Sequence, residues 1–213
     1  MALYIDSADR DLIAEVWRSG VFAGVTTNPT ILDRAGLGQR DVPDLHAWLT
    51  DLGVRTVYVQ VLGSTRDEML RHADELRSIG PVTVKVPATA EGYAAARTLV
   101  EQGVPVLLTV VYHPVQALMA RDCGIQGVAP YVGRMTDAGR DGVASVIAMQ
   151  QAIGSEPTRI LAASLRSADD IARLAAAGVP DFTLGGELAR AVLDDDLTRS
   201  AVADFEAAAA RHS

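Results

Sequence analysis

Short runs rich in β-branched residues alternate with amphipathic stretches from one end of the chain to the other, and this alternation limits the fold more tightly than any other feature. Strands are predicted at 3–6, 24–26, 56–61, 82–86, 106–110, 127–131, 159–162 and 181–184, with helical patterns at 9–19, 64–78, 90–102, 114–122, 141–153 and 167–177. Gly20, Gly80, Gly103, Gly124 and Gly178 stand just beyond helical patterns, where a chain leaving a helix favours glycine. Eight strands alternating with helical patterns imply parallel strands joined by crossovers and predict an α/β fold, a (β/α)8 TIM barrel. Such barrels typically run to about 250 residues, so a chain of 213 must use short loops. An open, doubly wound sheet is the alternative architecture. The length suits one domain spanning 1–213, with 193–213 as an additional C-terminal helix. Leu197, Val202 and Phe205 in that helix need cover, either from the barrel itself or from a neighbouring subunit.

All nineteen lysine and arginine side chains but one are arginine, and the exception is Lys85. It lies in the apolar run Val82-Thr83-Val84-Lys85-Val86-Pro87, an inhospitable place for a charge. Arginine stays protonated, whereas a lysine amine in an apolar wall can lose its proton and attack a carbonyl to give a Schiff base. The structural alternative is a lysine that snorkels its ammonium out of a strand end in an arginine-biased chain. The period of two puts Thr83 and Lys85 on one face of the strand and Val82, Val84 and Val86 on the other, so the lysine points inward.

A net charge of -8 and a pI near 4.9 argue against nucleic acid and anionic membranes as partners, and an anionic small substrate would need a local arginine pocket. Cys123 is the single cysteine, which excludes an internal disulfide and suits a reducing cytoplasm. The opening Leu3-Tyr4-Ile5-Asp6 lacks the pattern of a signal peptide, and no apolar stretch approaches the ~20 residues of a membrane span. His46, His72, His113 and His212 show no zinc-ligand spacing, so no metal site is expected. Gly36-Leu37-Gly38 reads as a flexible loop, and Asp194-Asp195-Asp196 as an acidic turn. Gly185-Gly186-Glu187 offers either backbone amides for phosphate or a tight strand-to-helix turn.

In a barrel the C-terminal ends of the strands face the reaction chamber. Those ends carry Asp6, Asn28, Gln60, Lys85, Thr109, Tyr131 and Ser164, and no matching polar set is apparent at the strand beginnings. Asp6 would oppose the loss of the lysine proton yet steady a later iminium. Tyr131, Gln60 and Thr109 together suit holding a water and passing protons. Gln60, an amide in the apolar run Val59-Gln60-Val61, is expected to find hydrogen-bond partners.

The runs Leu3-Tyr4-Ile5-Asp6-Ser7-Ala8, Gly24-Val25-Thr26-Thr27-Asn28-Pro29-Thr30, Val84-Lys85-Val86-Pro87-Ala88-Thr89-Ala90-Glu91-Gly92, Ala129-Pro130-Tyr131-Val132-Gly133-Arg134 and Ala162-Ala163-Ser164-Leu165-Arg166 resemble the small transaldolase and fructose-6-phosphate aldolase family across essentially the whole chain. The resemblance implies a metal-free class I enzyme without a cofactor, in which Lys85 forms a Schiff base with a ketose or dihydroxyacetone unit. By the same resemblance Asp6, Thr26 and Asn28 contact that donor, Thr109 positions the catalytic water, and Arg134, Ser164 and Arg166 receive the substrate phosphate. Gln60 and Tyr131 resemble the aldolase branch, where transaldolases have glutamate and phenylalanine. The family also implies sugar-phosphate substrates and a ring-like homo-oligomer, often of ten subunits, with the C-terminal helix crossing to a neighbour. One departure is Met135-Thr136-Asp137, which brings the aspartate one residue later than is usual after Arg134. A specialised transaldolase with an unusual aldose acceptor, and a barrel that binds sugar phosphates without turnover, are the alternatives.

Overall fold

The computed structural model describes residues 1–154 and 157–211; His212 and Ser213, the end of the expected C-terminal helix, lie outside them. Eight parallel strands, β1 (Ala2–Asp6), β2 (Phe22–Thr26), β3 (Val57–Gln60), β4 (Thr83–Pro87), β5 (Val106–Val111), β6 (Gly127–Pro130), β7 (Arg159–Ala162) and β8 (Asp181–Leu184), pair in sequence order, and β8 returns to β1 to close the barrel. The expected (β/α)8 architecture is therefore the observed one, and the open sheet is excluded. The predicted helical patterns become α1 (Arg10–Trp17), α4 (Arg66–Ser78), α5 (Ala90–Glu101), α6 (Pro114–Asp122), α8 (Gly142–Ile153) and α9 (Ala168–Ala176). Between the predicted patterns the structure adds α2 (Pro29–Arg34), a 3₁₀ turn (Gln39–Asp41), α3 (Val42–Asp51), α7 (Val132–Asp137) and α10 (Gly186–Ala191).

Strand alternation divides the side chains cleanly. Ile5, Val25, Val59, Val84, Val86, Leu108, Val128, Ile160 and Phe182 face outward into the buried layer between sheet and helices. The inward residues fill the lumen in tiers. At the bottom Tyr4 and Tyr58 meet edge to face with centroids 5.5 Å apart, beside an ion pair in which Arg159 donates from Nε and Nη2 to both Asp181 oxygens at 2.8 and 2.7 Å. Leu107, Ala129 and Leu161 form an apolar plug above them. Gly127 makes room for it, because a methyl group there would come within 2.8 Å of Leu107 Cδ1. The strand beginnings thus do carry polar inward residues, contrary to the sequence expectation. They escape notice because Tyr4, Tyr58, Arg159 and Asp181 come from four separate strands and become a set only on closure.

Loops set the remaining geometry. β5 continues past Thr109 through a bulge at Val110, whose φ of 62° is left-handed, so Thr109 lies within the strand rather than at its exit. Tyr131 lies just beyond β6, bridged to Ala163 and capping α7. Gly36-Leu37-Gly38 is a loop closed by the Leu37 amide donating to the Leu32 carbonyl at 2.9 Å. Gly185-Gly186 is a strand-to-helix turn in which Gly186 has no room for a side chain, since a methyl group would reach 2.1 Å from Leu12 Cδ1. His113 accepts from the Val115 amide as the N-cap of α6. Asp195 caps α11 (Asp196–Ala210), and Asp194 and Asp196 pair with Arg199, consistent with an acidic turn. No residue of α11 is buried, and Leu197, Val202 and Phe205 are 81%, 51% and 72% exposed, so the barrel does not cover them. No described helix is long and apolar enough to cross a membrane.

The bottom ion pair is lopsided, with the Asp181 side chain 8% exposed and that of Arg159 56% exposed. Arg159→Met strands a buried carboxylate and should destabilise the protein by about 3 kcal/mol, whereas Asp181→Asn leaves an arginine that water can reach and should cost about 1 to 2 kcal/mol. Urea unfolding of both variants measures the order, and an equal or reversed loss would contradict this account.

Candidate active site

Above the apolar plug, a cavity of about 190 Å³ opens at the C-terminal ends of the strands. Asp6, Thr26 and Lys85 reach it from strands, Asn28 and Tyr131 from the residues just after strands, and Arg134 and Arg166 from the segments beyond. Lys85 is 4% exposed, and its Nζ donates to the Thr27 carbonyl at 2.8 Å. The expected inward orientation is the observed one. Burial holds the amine below its ordinary pKa, and the Asp6 carboxylate opposes that shift. Burial also raises the Asp6 carboxyl, against the pull of Lys85, the Thr26 hydroxyl, Arg134 and Arg34. Both shifts favour the uncharged pair, so a neutral amine is accessible at a lower pH than a surface lysine would need.

A hydroxyl chain orients Asp6. Thr26 Oγ1 donates to Asp6 Oδ1 at 2.6 Å and lies 2.6 Å from Thr183 Oγ1. Since Thr26 has one proton and gives it to Asp6, Thr183 must donate to Thr26. Asn28 caps α2 by accepting from the Ile31 amide through Oδ1 at 3.1 Å, which leaves its NH2 group free for the cavity.

On the opposite wall Tyr131 Oη and Thr109 Oγ1 are 3.0 Å apart in a buried pair. The Tyr131 ring stands edge to face with Tyr112, and the Arg134 guanidinium lies 4.9 Å above it. Burial raises the Tyr131 pKa, so at neutral pH the phenol keeps its proton and can give it up only as part of an exchange.

Gln60 pairs in register with Lys85 across β3 and β4 but is only half-buried. Its amide has no hydrogen-bond partner among the described residues, which corrects the expectation of one. The burial that would have demanded partners is incomplete, and water reaches it. Gln60 and Thr109 are also outside the lining of the cavity itself, so the structure joins Thr109 to Tyr131 and leaves Gln60 apart.

Ser164 adopts a left-handed conformation, φ 57°, and its carbonyl accepts from the Gly133 amide at 2.7 Å, which folds α7 onto the end of β7. That contact brings Arg134, Ser164 and Arg166 to one rim of the cavity. Sequence reasoning misses Arg34, which lines the same cavity with Thr30 and Ile31 from one face of α2. The Asn28-Pro29 pair signals this helix, since asparagine caps and proline favours the first turn, and a helix starting there places 30, 31 and 34 together. Three arginines and Lys85 therefore face a single carboxylate, Asp6, in a protein of net charge -8. Among the described residues no cluster of histidine, cysteine, aspartate and glutamate is arranged to hold a metal.

An amine poised for deprotonation, a carboxylate, a protected phenol and a cationic rim make a site able to condense with a carbonyl compound that bears an anion at its far end. The chain is similar in fold to mandelate oxidase, with a TM-score of 0.61 over 88% of this chain and 65% of that one, at 14% identity, which speaks for the barrel alone. It is 35% identical over 209 residues to a probable transaldolase of Alkaliphilus metalliredigens, covering 96% of both chains. It is 34% identical to probable transaldolase 1 of Listeria monocytogenes serotype 4b, covering 98% of this chain and 99% of that one. Residues 3–213 match the family model for transaldolase/fructose-6-phosphate aldolase, and the chain belongs to that family.

Proposed function

We propose that Lys85 is the Schiff-base nucleophile of a class I enzyme that cleaves or transfers a dihydroxyacetone unit between ketose and aldose phosphates, with fructose 6-phosphate as donor. The observation that carries this is the buried Lys85 amine, held by the Thr27 carbonyl at the floor of a cavity whose rim is cationic. The neutral amine adds to the ketose C2 carbonyl, and loss of water gives an iminium. Removal of the C4 hydroxyl proton then breaks the C3–C4 bond, whose electrons pass to the iminium to form an enamine, and an aldose phosphate departs. Protonation at C3 and hydrolysis free dihydroxyacetone; attack of the enamine on another aldehyde transfers it instead.

In this scheme Asp6 stabilises the iminium and exchanges protons with it, while Thr26 orients Asp6. The Asn28 NH2 holds donor hydroxyls. Tyr131 and Thr109 hold the water that hydrolyses the iminium and carry its protons, and Gln60, the strand neighbour of Lys85, is grouped with them by family resemblance rather than by contact. Arg134, Ser164 and Arg166 receive the phosphate, and Arg34 adds to their positive field. Gln60 and Tyr131 favour release of dihydroxyacetone over transfer, in keeping with the aldolase branch. The protein works in the cytoplasm, and its uncovered α11 packs on a second copy in a homo-oligomer, for which the family resemblance implies a ring, often of ten subunits.

Borohydride reduction in the presence of fructose 6-phosphate should add the mass of a reduced dihydroxyacetone unit at Lys85, and Lys85→Met should lose roughly 10⁴-fold or more in rate. Because burial lowers the lysine pKa, the labelling rate should rise with pH and level off below the ordinary lysine value of 10.5. No label at Lys85, or a midpoint at or above 10.5, would sink the mechanism.

Tyr131→Phe removes the phenol but keeps the ring beneath Arg134. It should lower release of free dihydroxyacetone by about 10- to 100-fold while sparing transfer to added aldose phosphates. Equal losses in both reactions would count against the assigned role, and a panel of acceptors would expose an unusual preference.

Removal of residues 197–213 strips three exposed apolar side chains from the surface. Light scattering should then report a smaller particle than the full chain gives, whereas unchanged mass would place the subunit contacts elsewhere.

A further inference from the structure

Asp137 is the last residue of α7, where a carboxylate faces the negative end of the helix and gains nothing from its dipole. Its Oδ2 accepts from Arg166 Nη2 at 2.6 Å, tying the end of α7 to the segment after β7. The Arg166 side chain also passes over Gly133, where a methyl group would come within 2.5 Å of Nε and 3.1 Å of Cδ. The arginine is thus laid across a residue with no side chain and held at its tip, although the Arg166 and Asp137 side chains are 59% and 63% exposed. The aspartate of the Met135-Thr136-Asp137 run, one residue later than the family pattern, is thus the one that reaches Arg166.

Resting on the view that this cavity takes a sugar phosphate, we propose that Asp137 is a positioning residue, which fixes the Arg166 guanidinium so that its remaining N–H groups face the substrate phosphate. A free surface arginine surrenders considerable rotamer freedom when it grips an anion. Arg166 has surrendered much of that freedom before the substrate arrives. An exposed ion pair of this kind adds little to folding stability, so its effect belongs to binding. Asp137 also repels a phosphate, but water screens an exposed carboxylate, and Arg34 and Arg134 keep the wall positive. Ordering of Arg166 therefore outweighs repulsion.

Asp137→Asn keeps the shape and removes the charge, and Asp137→Glu keeps the charge. Kinetics with fructose 6-phosphate and with unphosphorylated fructose, together with calorimetric titration of inorganic phosphate, separate the cases. Asp137→Asn should raise KM for fructose 6-phosphate about five- to tenfold, change kcat by less than about twofold, and leave KM for fructose unaltered. Phosphate affinity should fall by a similar factor, and Asp137→Glu should recover part of the loss. An unchanged or lower KM for the phosphorylated donor overturns the proposal, as does an equal loss with both donors accompanied by a lower melting temperature. Should fructose 6-phosphate fail to label Lys85 in the parent protein, the catalytic scheme falls, and the phosphate titrations alone still decide the role of Asp137.

Discussion

Closure of the barrel imposes one demand on every strand: alternate side chains must enter a narrow lumen that has no other filling. Outward positions meet this easily with valine, isoleucine and leucine, because the helices supply an apolar partner. Inward positions must serve two ends. Lower down, the Arg159–Asp181 pair and the Tyr4–Tyr58 contact seal the lumen, and Leu107, Ala129 and Leu161 dry it. This apolar floor, whose Leu107 stands in register with Lys85, contributes to the burial that lowers the pKa of the amine.

Electrostatics at the mouth run against the charge of the whole. An acidic protein repels anions at a distance, yet the cavity gathers Arg34, Arg134 and Arg166 from three different β/α connections around one buried lysine. Each arginine comes from a helix or loop laid down just after a strand, where small shifts in backbone path decide its reach. The left-handed Ser164 and the bare Gly133 are such decisions, because together they let α7 approach β7 closely enough for two arginines to share a rim.

Much of this was legible in the sequence. All eight strands and seven of the helices, the C-terminal α11 among them, follow from the sequence pattern, and the inward face of Lys85 follows from the strand period alone. What the sequence hides is mostly what depends on closure or on short elements, together with the ten-residue α3, whose pattern goes unread between β2 and β3. The bottom tier is assembled from residues far apart in sequence. α2, α7 and α10 have six residues each, too few for a periodic pattern to register. Gln60 was misjudged for a related reason: an apolar run implies burial, but at the last residue of a strand the mouth of the barrel already admits water.

The direction of the hydroxyl chain limits what Asp6 can do. Thr183 donates to Thr26 and Thr26 to Asp6, so Oδ1 is committed as an acceptor and any proton the carboxyl carries must sit on Oδ2. Burial favours that protonated form, while Lys85 and two arginines favour the anion. A ligand that neutralises the arginines would weaken their pull and tip Asp6 toward protonation. Occupancy of the cationic rim and the acid-base state of the floor are thus coupled through the field inside the cavity, without any movement of the backbone.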